Sequence, residues 1–163
     1  MYDFAVWLGK TSFSVKLGEA IWIIPILQSV HILAVAMVFS AVAMIELRLF
    51  GLTTAYSIRQ IMNRFMPFLW TGLVILMATG IVQIAAEPKR TLNANPAFYL
   101  KMAMLVGAIA VMIGFQAYVR RHAADLHDGA KRKVLLQLAA VMTLTLWVAI
   151  AFAGRWIAYV QVT

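Results

Sequence analysis

His31 is the residue whose type and placement most invite chemistry. It stands one helical turn after Gln28, in a long apolar run that starts near Glu19. About twelve positions into such a helix is roughly 16 to 18 Å along it at 1.5 Å per residue, inside the hydrocarbon of a bilayer. Ionisable groups at that depth face a protein interior and pair with something, so function is the default reading; a neutral imidazole bonded to a neighbouring helix is the competing one. Gln28 and Glu46 fall within about 60° of His31 at 100° per residue, which gives the first helix one polar edge. Met37, Met77 and Met104 belong to a similar depth. Most of the ten Met are core filler, yet a thioether opposite a neutral imidazole can serve as an axial ligand to haem iron or as a soft ligand for Cu(I).

Lys101 and Arg155 belong to the outer ends of the third and fourth apolar helices, a few turns nearer the surface than His31. A haem held by His31 would direct its propionates to these two cations, whereas snorkelling or pairing with Glu87 or Glu19 is the structural alternative. The cofactor-binding candidates are therefore His31, Gln28, Lys101, Arg155, Met77 and Met104, with His31 as the metal ligand, for haem b or alternatively copper. His122 and His127 read differently. Their spacing of five suits one metal poorly, and the segment Arg120 to Gly129 reads as a solvated extension with Arg121 and Asp125 paired. No Gly-rich phosphate loop, H-E-x-x-H motif or nucleophile with a base occurs, so a hydrolase or an ATP-driven pump has no support.

The elements that position these residues follow from composition. Of 163 residues, 64% are hydrophobic and 12% charged, which excludes a water-soluble domain with a polar shell and indicates an integral membrane protein. The expected fold is all-α, a four-helix bundle with helices over about 19–50, 54–86, 96–127 and 130–160, the last two having apolar parts at Pro96 to Val119 and Lys133 to Tyr159. Residues 1–18, with Phe4, Trp7 and Phe13 among small polar residues, suit a segment in the membrane interface, or else a frayed tail. The first span lacks a basic leader and is too long for a cleaved signal.

The net charge of +8 is explained by basic loops and anionic lipid, without a nucleic-acid partner. The first and third connections hold eight Lys and Arg against six in the termini and second connection. Five of them lie between Arg120 and Lys133, which places that connection in the cytoplasm and both termini on the periplasmic side. Trp22, Tyr99, Trp156 and Tyr159 then share the outer interface. With no cysteine, disulfides and thiolate metal sites are excluded.

Helices in lipid associate through small residues. Ala103, Gly107, Ala110, Gly114 and Ala117 share one face of the third helix, and Ala36, Ser40 and Ala43 one face of the first, so these faces are expected to meet other helices or a second subunit. Gly72 and Gly80 carry the same message more weakly. Pro25 and Pro67 are expected to bend the first and second helices.

His31, the run Glu46-Leu47-Arg48-Leu49-Phe50-Gly51, the run Asn95-Pro96-Ala97-Phe98-Tyr99-Leu100-Lys101, and Gly154-Arg155-Trp156-Ile157-Ala158-Tyr159 together resemble an uncharacterised family of short four-helix bacterial inner-membrane proteins. The resemblance spans nearly the whole chain. It implies the fold and singles out Glu46, Arg48 and Tyr159, without supplying a reaction. Family members often have a His after the third-helix Phe, where this chain has Gln116 after Phe115. That leaves His31 with a Met, His31 alone, or two His31 side chains shared between subunits.

The leading expectation is a homo-oligomeric inner-membrane protein that binds b-type haem for electron transfer or haem handling. A small transporter or channel for metal ions or protons is the first alternative, and an accessory subunit of a membrane complex the second.

Overall fold

The computed structural model describes residues 2–52, 55–92, 96–122 and 130–156. All the regular structure among them is helical: α1 (Tyr2–Gly9), α2 (Ser12–Glu19), α3 (Ile23–Leu49), α4 (Ile58–Ala86), α5 (Pro88–Leu92), α6 (Pro96–His122) and α7 (Ala130–Trp156). Four helices, within α3, α4, α6 and α7, are long and apolar enough to cross a membrane. Each has an apolar face in the core and another turned outward, as a lipid-facing helix requires.

The helix ends follow local chemistry. The apolar run after Glu19 does not form one helix, because Ala20 takes an extended conformation and stops α2, and α3 starts at Ile23. Pro25 therefore lies in the first turn of α3, where its missing N–H leaves no helical bond unmade, and the expected bend has no cause there. At the other end Gly51, at φ 83°, closes α3 in a left-handed cap, with Gly51 N–H donating to Arg48 C=O and Leu52 N–H to Leu47 C=O. Ser57 and Gln60 form a reciprocal capping box, so α4 starts at Ile58 and not at Thr54. Pro67 lies inside α4 as expected.

The N-terminal residues pack in place. α1 lies against α5 and α2 against α4, where Ser14 Oγ donates to Ala85 C=O at 2.7 Å. Phe4, Trp7 and Phe13 remain exposed, as an interfacial segment would present them.

α3 packs along α4 and also against α7, α6 packs on α7, and α4 and α6 meet only sparsely. The core gathers Val38, Val42 and Ile45 of α3, Leu69 of α4, Val119 of α6 and Trp147 of α7. The tightest approach of α3 to α4 is at Gly72, where an added Cβ would lie 2.6 Å from Val38 Cγ2. The small-residue stripes behave otherwise. Ala103, Ala110, Gly114 and Ala117 are exposed, nothing lies within 4 Å of a Cβ built on Gly107 or Gly114, and Ala36 and Ser40 are exposed too. Among the described residues of one chain most of these stripes face outward, because α6 turns Ala108, Met112 and Val119 to the core instead.

Candidate functional site

His31 lies eight residues beyond the start of α3, about 12 Å in at 1.5 Å per residue, nearer the helix end than its sequence position suggests. Its Nδ1 is 2.7 Å from Thr79 Oγ1 on α4. Thr79 in turn donates to the Ile75 carbonyl at 2.7 Å, the usual escape for a hydroxyl inside an apolar helix. A hydroxyl has one proton to give. With that proton on Ile75, Thr79 can only accept from the imidazole, so Nδ1 carries the hydrogen and Nε2 keeps its lone pair. Nε2 has no hydrogen-bond partner among the described residues. A ring fixed through Nδ1–H with a free Nε2 is the arrangement that orients histidine as a ligand.

Two other side chains converge on this end. Lys101, on the second turn of α6, lies against Gly154 of α7, where a Cβ would stand 3.2 Å from Nζ. It belongs to the same end of the bundle as His31, on a helix that has no extensive packing with α3. Gln83 follows Thr79 by one turn on the same face of α4, and its buried Nε2 has no partner among the described residues. The His31 end thus offers one lone pair, an ammonium and an unused amide donor.

The remaining candidates divide. Met104 packs against the core one turn deeper than Lys101. Met77 is 57% exposed on the outer side of α4, and Gln28, one turn before His31 on α3, is exposed as well. Arg155 is exposed beside Gly154. Among the described residues no group of three or more His, Cys, Asp or Glu converges on one point. Tyr159 and His127 lie outside the described residues.

Glu46 and Arg48 do not pair with each other in the chain. Arg48 Nε donates to the Tyr56 carbonyl, holding the connection after α3, while Glu46 is 5% exposed with both carboxylate oxygens unpartnered among the described residues. Thr79 and Gln83 are the site residues that sequence reasoning missed, and Gly154 entered it only as part of the terminal motif. Antiparallel register narrows the search to one helical turn: counting equal distances from the α3–α4 connection brings Leu76 level with His31, and Thr79 follows three residues on.

The chain matches a family of unknown function, DUF6644, over residues 4–160. It belongs to that family. No curated protein and no solved structure matches the chain. The DUF6644 match covers α1 to α7, so it includes His31, Thr79 and Lys101, and it assigns them no reaction.

Proposed function

We propose that this DUF6644 member is a multi-pass protein of the bacterial inner membrane, a four-helix bundle with both termini periplasmic, that holds b-type haem through His31 Nε2 for electron transfer or haem handling. The observation that carries this reading is the Nδ1–H bond to Thr79, which leaves Nε2 as the lone pair. Lys101 supplies a cation for a propionate, with Arg155 beside it on α7, and Gln83 supplies an amide donor. Met104 is the inward-facing thioether of the two candidates. Haem, when bound, supplies one-electron redox chemistry, and the chain's part is ligation, charge compensation and exclusion of water.

Lys101 also bears on the alternatives. A bare copper ion beside an ammonium would be repelled, whereas a ligand with an anionic rim is attracted. A homo-oligomer fits the outward small-residue stripe of α6, which is built for close helix approach. The second reading, a transporter or channel for protons, draws on Glu46, a buried carboxylate with no described partner. Haem content by pyridine haemochrome, on protein purified in mild detergent from its native membrane, separates the readings. Near-stoichiometric haem supports ligation, and protein free of haem removes it.

A further inference from the structure

A fissure of about 520 Å³ opens between α4 and α6, at the end away from His31. Its size falls within the roughly 300 to 1,000 Å³ of small-molecule sites. Arg59 and Arg120 stand at the helix ends that form its mouth, Asn63 and Gln116 follow, and Met66 and Trp70 line it deeper. From Arg59 to Trp70 is eleven residues, about 16 Å along α4. The lining is thus polar and cationic at the helix termini and apolar inside, and among the described residues it includes no carboxylate. The sparse packing of α4 on α6 leaves room for an occupant.

We propose that this fissure binds one anionic phospholipid, with its phosphate held by Arg59 and Arg120 and an acyl chain laid along Met66 and Trp70. Charge complementarity selects the head, since two guanidiniums and two amides line it and no acid does so among the described residues. The apolar depth selects the tail. A free phosphate would use only the mouth and leave Trp70 untouched. The proposal rests on the chain spanning a membrane and is independent of haem. Release of the protein by alkaline carbonate would refute the membrane reading by itself, before any lipid is tested.

The test uses the full chain in phosphatidylcholine vesicles doped with brominated phosphatidylglycerol or brominated phosphatidylcholine, read by tryptophan quenching. Phosphatidylglycerol is expected to quench more strongly, and Trp70→Phe is expected to remove the excess. Arg59→Gln with Arg120→Gln should weaken the apparent affinity for phosphatidylglycerol about tenfold or more, while Arg59→Lys with Arg120→Lys keeps part of it. Arg64→Gln with Arg121→Gln removes equal charge outside the fissure and should change little. Equal quenching by the two lipids, or the same loss in the Arg64 and Arg121 variant, would overturn the proposal. Displacement of the lipid signal by millimolar inorganic phosphate would reassign the mouth to phosphate alone.

Discussion

His31 Nδ1 lies 2.7 Å from the Thr79 hydroxyl, which donates to the Ile75 carbonyl, so the neutral imidazole that fits this geometry carries its hydrogen on Nδ1. That two-bond relay fixes a tautomer across two helices, and everything asked of Nε2 depends on it. Thr79→Val removes the acceptor while keeping the shape. Haem affinity, titrated into apoprotein, is expected to fall about 10- to 100-fold, the usual effect of losing a ligand's supporting bond, and Thr79→Ser should restore most of it. Unchanged affinity in the valine variant would mean that the bond orients nothing.

Gly72 is where α3 and α4 come closest, and a methyl there meets Val38, which is 1% exposed and has nowhere to go. Gly72→Ala should destabilise the fold by about 1 to 3 kcal/mol, measured by denaturant or thermal unfolding in detergent. Adding Val38→Ala should recover part of the loss. Full stability of Gly72→Ala alone would show that the helices separate more easily than their packing indicates.

Glu46 has a buried carboxylate with no partner among the described residues, beside Thr143, whose hydroxyl is already given to Ala139. An unpaired buried carboxylate costs more than an amide of the same shape. Glu46→Gln is therefore expected to be as stable as the native protein, or more so by about 1 kcal/mol. A marked loss of stability would mean that Glu46 is paired, within the chain or between copies.

Much of this architecture was legible before any coordinates. The four apolar runs and the placement of Pro67 inside a helix rest on length and hydropathy, which are properties of the sequence alone. A stripe such as Ala103 to Ala117 reveals a face without revealing its partner, so the inward direction of α6 was legible only from Ala108, Met112 and Val119 in the packed core. Glu19 to Trp22 reads as continuous helix because nothing in its composition marks the extended Ala20. Thr79 was overlooked since a threonine inside an apolar helix ordinarily satisfies itself on its own backbone, and here it does so and accepts from His31 as well.

Gly107 and Gly114 face open space in the single chain, so leucine at either should leave the protomer's unfolding midpoint within about 0.5 kcal/mol of native, as for an outward site. If copies meet through that stripe, Gly107→Leu and Gly114→Leu shift the species seen by light scattering in detergent to a smaller mass. Loss of folding in the smaller species would instead place these glycines against another helix of the same chain.

The central claim is that His31 Nε2 ligates haem iron. Its most direct test is the dithionite-reduced minus oxidised absorption spectrum of the detergent-purified native protein beside His31→Ala. A Soret band with sharp reduced α and β bands, lost in the alanine variant while the protein still folds, is the expected result. No haem signal in the native protein, or a spectrum that His31→Ala leaves intact, would contradict it.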